Sequence, residues 1–367
     1  MKRNVSLRQQ QVGVDHVLFI LPIVLTMLGL LAVADASAVQ AQNLVGDKFF
    51  FARQQLMWAG VGILGFLVAT KIPSRLWEKV AIPFFIFNVL LLIIVLLPGI
   101  GHKALGAQRW IDIAGFNFQP GELIKLSMIL FISKYLTKYQ NILPLLFIIA
   151  AVCGILIVQP DLGTGVIVGA VSFAMLFIAG APITFFFVIA PVIIGALFLL
   201  ISLSEYRRVR FMSFVNGVFD PLAGSYHVKQ TILAIASGGL FGVGLGQSRQ
   251  KFLFLPEAAT DSIFAVIAEE VGLFGSIILV ALFAVLVARI FQISNLVENE
   301  FGKLVVAGVG VWVGVQTFIN LGAMTALIPL TGVPLPLFSY GGSSLIVTLT
   351  ALGVAASISR ERRAKKR

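Results

Sequence analysis

Ten apolar runs, each close to the length of a membrane span, are the feature that most constrains how this chain folds. A helix needs about 20 apolar residues to cross the hydrocarbon core of a bilayer. The runs cover residues 16–34, 55–70, 80–98, 122–137, 142–158, 163–180, 183–203, 262–290, 303–328 and 341–358. Only 12% of the residues are charged and the mean hydropathy is +1.00, which excludes an ordinary soluble domain. We therefore predict an all-α polytopic membrane protein in which residues 1–367 form a single domain of ten transmembrane helices.

The distribution of lysine and arginine predicts which side of the membrane each loop occupies. With the N-terminus inside, the cytoplasmic segments hold sixteen basic residues and the short outside loops hold four. This bias places a short N-terminus (residues 1–15) and a basic tail (residues 359–367) in the cytoplasm. Much of the net charge of +11 lies at helix ends and in this tail, so it predicts contact with anionic membrane lipids and not with nucleic acid.

Cysteine and histidine are too sparse to predict a disulfide or a clustered metal site. Cys153 is the single cysteine and lies within an apolar run, so it has no intrachain partner. His16, His102 and His227 are far apart in the sequence and lack ligand spacing, so we interpret them as ordinary polar residues.

Residues 204–261 form a large outside loop between the seventh and eighth spans. Loops of this length are seldom simple connectors and often carry function. The glycines at Gly242, Gly244 and Gly246 follow no predicted strand, so they indicate a close-packed turn and not a dinucleotide-binding fingerprint.

Asp261 ends this loop, at the point where the eighth apolar run begins. A carboxylate at a membrane boundary is costly to desolvate and therefore needs a reason to be there. Two interpretations are open: Thr260 or Asp261 caps the free N–H groups of the helix, or Asp261 takes part in chemistry.

Glu122 and Lys125 open the fourth span, which is the shortest and most polar and is therefore predicted to pack inside the bundle. Their i,i+3 spacing places opposite charges on one helix face. A buried ion pair seldom justifies itself by stability alone. The pair therefore either fixes the register of the helix or shapes a polar cavity.

Two further outside segments interrupt the apolar pattern. Asp161 lies in a Gln-Pro-Asp-Leu-Gly turn between the fifth and sixth spans, where it either caps the next helix or lines a site. Residues 329–344 combine prolines, Ser339 and a Gly341-Gly342 pair before the tenth span. Irregular backbone at membrane depth is tolerated only where it is packed or lines a cavity.

These segments converge on one predicted face of the membrane and bring a few carboxylates together with several cations. The cations are Arg109, Arg207, Arg208, Arg210, Arg249 and Lys251. One carboxylate base beside many cations suits glycosyl transfer from a diphosphate, because this leaving group needs no proton and only the attacking hydroxyl needs a base.

Several of these motifs, found in one order, resemble the SEDS family, which includes FtsW, RodA and sporulation relatives. They are Arg109-Trp110-Ile111, the run Gln119-Pro-Gly-Glu122-Leu-Ile-Lys125, QPDLGT from Gln159, GQSRQKFLFLPEAATD from Gly246 to Asp261, and PLPLFSYGGSS before Leu345. The GQSRQK run looks closer to the FtsW division branch. The resemblance implies a peptidoglycan glycosyltransferase of the bacterial cytoplasmic membrane, which polymerises lipid II on the outer face with a class B penicillin-binding protein as its partner.

By the same resemblance, Asp261 matches the essential aspartate of the family. The substrate-binding residues are then Arg109, Glu122, Lys125, Asp161, Arg210, Arg249, Lys251 and Ser339. The leaving group is undecaprenyl pyrophosphate, aided by basic loop residues or by a divalent cation, magnesium or manganese.

The chain departs from the family pattern at a few positions that bear on branch and on substrate contacts. Gly121 replaces a usual serine, Ala259 a polar residue, Ser262 a phenylalanine and Leu222 a tryptophan. Two other functions stay open at this point: a transporter of lipid-linked precursors, and a non-catalytic scaffold for a penicillin-binding partner.

Overall fold

The structure is a computed structural model that describes residues 13–98, 101–104, 107–113, 116–139, 141–219 and 225–361. Three sequence predictions lie outside these residues: most of the cytoplasmic N-terminus, the tail after Glu361, and the departure at Leu222.

Helices dominate the described part of the chain, which contains thirteen of them. Their bounds are α1 His16–Ala36, α2 Ala38–Val45, α3 Phe50–Ala69, α4 Ser74–Ile94, α5 Pro120–Lys138, α6 Leu143–Val158, α7 Leu162–Ile178, α8 Ile183–Ser202, α9 Glu205–Phe219, α10 Tyr226–Gly238, α11 Ile263–Ser294, α12 Glu300–Met324 and α13 Gly342–Ile358. Each of the ten apolar runs coincides with a helix, and seven of these helices are long and apolar enough to cross a membrane. The helical membrane fold is therefore confirmed, while ten crossings stay a prediction.

Helices α5, α12 and α13 form the centre of the bundle. The predicted burial of the fourth span is confirmed, because most of α5 is buried. Small residues allow these helices to approach their neighbours closely. A Cβ added at Gly353 of α13 would lie 2.6 Å from the Phe66 carbonyl oxygen of α3, and one at Gly308 of α12 would lie 2.8 Å from side-chain atoms of Ile129 and Met175. Such close backbone contact is typical of packed membrane helices.

A small antiparallel sheet precedes α5, and the sequence analysis did not predict it. Its strands are β1 Gly101–Ala104, β2 Ala107–Ile113 and β3 Phe116–Phe118, in the order β1-β2-β3. The strands are short and lie between two apolar spans, so their period-2 signal is weak. The sheet positions Arg109 on β2 and leads directly into the charged first turn of α5.

Helix α11 is broken at Gly272, where the predicted span 262–290 was expected to continue. Gly272 has φ 68° and ψ −166°, which glycine adopts easily and other residues rarely do. The break divides α11 into a short leg (residues 263–271) and a long leg (residues 273–294). The long leg measures about 33 Å at 1.5 Å per residue, which is enough to cross a bilayer by itself. The short leg is therefore not needed to cross the membrane and can contribute to the candidate site.

Candidate active site

Asp261 lies in a tight turn just before α11 and is half-buried. Within the described residues, its carboxylate accepts no hydrogen bond. Gly332 lies against it, so that a Cβ added there would be 3.4 Å from Asp261 Oδ2. The Asp261 carboxylate therefore lies against the Gly332 backbone while its oxygens accept no hydrogen bond from the described residues.

The capping interpretation of Asp261 and Thr260 is wrong. Ser262 is the N-cap residue of α11, and it makes no side-chain capping bond. Thr260 Oγ1 instead donates to Glu257 Oε2 at 2.8 Å. The backbone N–H groups of Thr260 and Ser262 both donate to the Glu257 carbonyl at 3.1 Å, which turns the chain away from the helix axis before a cap can form.

Desolvation raises the pKa of Asp261 to about 6. The nearby Glu257 carboxylate adds to this rise, whereas Arg109 and Arg210 oppose it. A carboxylate with this pKa is mostly ionised at neutral pH and is still basic enough to accept a proton, which suits a general base.

The main chain around Asp261 is fixed from two sides by buried side chains. Asn320 Nδ2 of α12 donates to the Asp261 carbonyl at 2.8 Å and to the Val333 carbonyl at 2.9 Å. Ser339 Oγ donates to the Thr260 carbonyl at 2.6 Å and accepts from Leu335 N at 2.8 Å. Ser339 was predicted to bind substrate, and its burial favours a role in holding this turn.

The predicted Glu122–Lys125 ion pair is confirmed, with 2.7 Å between Lys125 Nζ and Glu122 Oε2 and both side chains buried. Lys125 also donates to Gln316 Oε1 of α12 at 3.0 Å, and its ammonium lies 4.9 Å from the centre of the Trp312 ring. Gln316 Nε2 in turn donates to the Pro334 carbonyl at 2.9 Å. Gln316 and Asn320 are one helical turn apart, so α12 connects the ion pair to the turn that carries Asp261.

Asp161 caps α7, as one of its two predicted roles requires, and its role in lining a site stays a prediction. Its Oδ1 accepts from Thr164 N at 3.2 Å and lies 3.8 Å from Arg109 Nη1. Gln119 Nε2 donates to its other oxygen at 2.8 Å. A Cβ added at Gly121 would be 3.2 Å from Asp161 Oδ2, so glycine at this position lets the start of α5 approach the carboxylate closely.

The predicted cations divide into two groups. Arg109 and Arg210 lie close enough to Asp261 to lower its pKa, and Arg249 is exposed on the same loop. Lys251 is buried instead, with Nζ 2.7 Å and 2.8 Å from the Asp35 oxygens and 3.0 Å from Glu270 Oε1. Burial lowers the pKa of Lys251, but the hydrogen bonds that it donates to Asp35 and Glu270 raise it. The pKa therefore lies above its ordinary value, and Lys251 remains protonated.

Three residues near Asp261 were not singled out from the sequence. Asn320 and Gln316 are isolated amides within an apolar run. His227, interpreted as an ordinary polar residue, lies with Nε2 2.6 Å from Ser262 Oγ, and that hydroxyl donates to the Pro256 carbonyl at 2.9 Å. The replacement of the family phenylalanine at Ser262 was the one available signal for this contact.

The His227 ring is neutral over most of the physiological pH range. Burial lowers its pKa, Arg210 lowers it further, and Glu257 partly opposes the change. Because Ser262 uses its proton on the Pro256 carbonyl, His227 donates Nε2–H to Ser262. His227 therefore fixes the turn next to Asp261 and does not activate the serine.

The donor set does not favour a divalent cation. Throughout the described ranges, no group of three or more histidine, cysteine or carboxylate side chains could hold a metal ion. The Asp161 carboxylate is already engaged by Arg109, Gln119 and Thr164. The chemistry below therefore uses side chains alone.

Comparisons with known proteins cover nearly the whole chain. The family model of the FtsW, RodA and SpoVE cell cycle proteins matches residues 15–364. Stage V sporulation protein E of Bacillus subtilis (strain 168) is 38% identical over 94% of this chain and 97% of its own length. A probable peptidoglycan glycosyltransferase FtsW of Geobacter sp. (strain M18) is 35% identical over 96% of this chain and 98% of its own. A solved structure that describes polymerization and crosslinking by a peptidoglycan synthase complex contains a chain with TM-score 0.78 and 29% identity, matched over 96% of this chain and 99% of that one.

Proposed function

Because this chain belongs to the family of FtsW, RodA and SpoVE cell cycle proteins, we propose that Asp261 is the general base of a peptidoglycan glycosyltransferase. The chain is a multi-pass membrane enzyme of peptidoglycan synthesis. The observation that supports this role best is the Asp261 carboxylate itself. It is half-buried, without a hydrogen bond among the described residues, and near two arginines.

The reaction joins two molecules of lipid II. Asp261 accepts the proton of the GlcNAc 4-hydroxyl as that oxygen attacks the anomeric carbon of the donor MurNAc. The new glycosidic C–O bond forms while the bond from the anomeric carbon to phosphate breaks. Undecaprenyl pyrophosphate leaves with the electron pair, and it needs no proton because both of its phosphates are acidic.

Arginines stabilise the charge that develops on the pyrophosphate. Arg109 and Arg210 lie beside Asp261, and Arg249 is exposed on the following part of the loop. Asp161 holds Arg109, which fixes one of these cations before substrate arrives. The other predicted site residues position the site and do not contact the substrate. Glu122 and Lys125 hold α12, Ser339 holds the turn that carries Asp261, and Lys251 holds the loop that carries Arg249.

The enzyme resides in the bacterial cytoplasmic membrane, with both termini in the cytoplasm and the site on the opposite face. The excess of basic residues on one side supports this orientation. A reporter fused after Arg367 should therefore be active only in the cytoplasm. Activity confined to the outside would contradict the proposed topology.

The partner is a class B penicillin-binding protein, which cross-links the glycan. The likeness to a chain from a peptidoglycan synthase complex supports this assignment. A sporulation relative at 38% identity and an FtsW relative at 35% do not separate the branches, so the division assignment rests on the GQSRQK run from Gly246 to Lys251.

A transporter would also use polar groups among membrane helices, and broken helices are common in transporters. The break in α11 is of this kind, but it leaves the long leg able to span the bilayer alone. The break thus lies at one border of the membrane and not at its midplane, which favours an enzyme with a site at that border.

Polymerisation of purified lipid II by the full chain with its penicillin-binding partner tests this function. With penicillin present to stop cross-linking, the wild type should produce glycan ladders and Asp261→Asn should not. A second assay should measure lipid II transport in vesicles. Transport without glycan synthesis would establish the transporter, and absence of both would leave the scaffold.

A further inference from the structure

Residues 239–246 form an uncharged segment whose large apolar side chains are left exposed, and we name this segment the apolar lip. The exposed fractions are 56% for Leu240, 79% for Phe241, 44% for Val243 and 79% for Leu245. Burying one such side chain is worth about 1.5–3 kcal/mol. A cluster of this kind on a polar loop therefore indicates a contact surface.

Backbone hydrogen bonds fix the apolar lip to the break in α11. Leu273 N donates to the Gly239 carbonyl at 2.9 Å, and Phe274 N donates to the Leu240 carbonyl at 3.2 Å. In the other direction, Val243 N and Gly244 N donate to the carbonyls of the short leg, at Glu269 and Glu270, both at 3.0 Å. The lip thus supplies partners for main-chain groups that the broken helix leaves free, which irregular backbone needs inside a membrane.

Glycine is required for this pairing. A Cβ added at Gly242 would lie 2.1 Å from the Glu270 carbonyl oxygen, and one at Gly272 would lie 2.2 Å from Gly242 N. No side chain fits at either position, so the two backbones are in direct contact. The predicted close-packed turn is therefore confirmed, and it packs against the end of the short leg and the break at Gly272.

Two charged clusters mark the borders of the hydrocarbon core along α1 and α11. At one end, Arg289 Nη2 lies 2.6 Å from Asp15 Oδ2. At the other end, Lys251 bridges Asp35 and Glu270. Asp15 caps the start of α1 and Asp35 lies in its last turn, about 30 Å away along the helix, which is close to the thickness of the hydrocarbon core. The Asp35–Lys251–Glu270 cluster is therefore at the border next to the site.

The apolar lip lies at this border and on the lipid-facing side. A Cβ added at Gly246 would be 3.7 Å from Asp35 Oδ1. The centres of the Phe241 and Phe274 rings are 5.3 Å apart, and Phe274 lies at the start of the long leg, just after the break at Gly272. Leu273, Phe274, Ile277 and Ile278 continue the exposed apolar surface along the long leg.

We propose that the apolar lip inserts into the acyl-chain region of the leaflet that borders the site, with Phe241 and Leu245 as anchors. The exposed apolar surface continues from the long leg of α11 to the apolar lip, and this continuity identifies lipid as what covers the lip. This insertion holds Ser248 and Arg249, which follow shortly after the apolar lip in the sequence, at the level of the lipid headgroups. If the proposed function is right, the pyrophosphate of a lipid-linked substrate lies at this same level.

Fluorescence from a single label tests the insertion directly. Leu245→Cys in a Cys153→Ala background carries an environment-sensitive fluorophore on the full chain, reconstituted in nanodiscs of phosphatidylethanolamine and phosphatidylglycerol. Gln247→Cys is the matched control, since it is exposed in the same loop but polar. The label at Leu245 should emit at shorter wavelength and be quenched by a doxyl group near the top of the acyl chain. The label at Gln247 should be quenched by aqueous iodide instead. Phe241→Cys provides a second inserted position.

Equal iodide quenching at Leu245 and Gln247 would overturn the proposal. The measurement is repeated with the penicillin-binding partner present. Persistent doxyl quenching supports lipid as the occupant, and its loss would assign this surface to the partner. Because the readout does not depend on activity, a failure of the proposed function in the polymerisation assay leaves this result unaffected.

Discussion

Asp261 and the Glu269–Glu270 pair are acidic groups at opposite ends of the short leg of α11, and their surroundings differ. Glu269 accepts from Ser248 Oγ and from the backbone N–H groups of Arg249 and Gln250. Glu270 accepts from Ser248 N at 3.2 Å and from Lys251 at 3.0 Å. Asp261, in contrast, has its backbone carbonyl held by Asn320 while its carboxylate has no hydrogen bond in the described chain.

This contrast separates carboxylates that hold the loop from the carboxylate that we propose as the general base. A buried carboxylate whose oxygens already accept hydrogen bonds stabilises the arrangement around it and is less available for a reaction. A carboxylate that is fixed through its backbone keeps its oxygens available, at a cost in desolvation that appears as a raised pKa. We therefore propose different uses for the carboxylates at the two ends of the short leg.

The largest expected effect is that of Asp261→Asn on activity. Polymerisation of lipid II should fall by about 10²–10⁴, the usual contribution of a positioned base. The rate of the wild type should rise with pH through about 6, the pKa of this carboxyl, because only the ionised form accepts a proton. Gel analysis of glycan products and a pH–rate profile measure both effects.

Stability provides the control for this substitution. Because the pKa of Asp261 is raised in the folded state, the free energy of unfolding falls as the pH rises from about 4 to about 6 and stays lower above that. Asp261→Asn should therefore unfold at the same or a higher temperature at about pH 7.5, and at a nearly unchanged temperature near pH 4. Near-normal glycan synthesis by the asparagine variant would remove Asp261 from the catalytic role.

The sequence predicted the membrane helices well because the signal for each helix lies within its own stretch of residues. An apolar run of sufficient length specifies a membrane helix, and an i,i+3 spacing brought Glu122 and Lys125 together. Asp161 was identified at its turn because a cap is also a local feature. These predictions required no knowledge of what lies next to each helix.

The remaining features depend on contacts between distant parts of the chain. Lys251 was predicted to bind substrate, and its contact with Asp35 could not be foreseen because Asp35 is 216 residues away in the sequence. The break at Gly272 pairs with the apolar lip through backbone hydrogen bonds, and a hydropathy pattern contains no information about such pairing. Asn320 resembles an ordinary amide in an apolar helix until the turn around Asp261 is placed against it.

Lys251→Met tests the structural side of the comparison. It leaves the Asp35 and Glu270 carboxylates without their shared cation, which should lower the free energy of unfolding by about 3–5 kcal/mol. Thermal unfolding in detergent measures this loss. Arg249→Met is the matched control, because Arg249 is exposed, and it should change stability little while raising the KM for lipid II. A stable Lys251→Met enzyme with a raised KM would instead show that Lys251 holds the pyrophosphate.

The Glu122–Lys125 pair tests whether a buried ion pair behaves as one unit. Glu122→Ala should lower the free energy of unfolding by about 3–5 kcal/mol, because Lys125 loses its counter-ion and keeps the neutral Gln316 and Trp312 side chains beside it. Lys125→Ala should have a similar effect through Glu122. The double substitution should cost less than the sum of the two single ones, as measured in a double-mutant cycle of thermal unfolding. Additive losses would show that the two charges do not stabilise each other.

Asn320→Ala should have the smallest effect and gives the finest test of how Asp261 is held. The Asp261 and Val333 carbonyls both lose their donor, so the turn should relax and carry the carboxylate toward water. Loss of alignment by about 1 Å should lower kcat by roughly 10–10². Thr317→Ala is the matched control, since Thr317 is buried on the same helix and its Oγ1 has no hydrogen-bond partner in the described structure. It should leave kcat near that of the wild type.

The pH–rate profile distinguishes positioning from general damage to the fold. Desolvation is the main cause of the raised pKa of Asp261, so a carboxylate that moves toward water should titrate below 6, nearer its ordinary value of about 4. The acid limb of the Asn320→Ala profile should therefore shift to lower pH, while that of Thr317→Ala should not. A variant that loses stability and rate but keeps the wild-type acid limb would show that Asn320 supports the fold without setting the environment of the base.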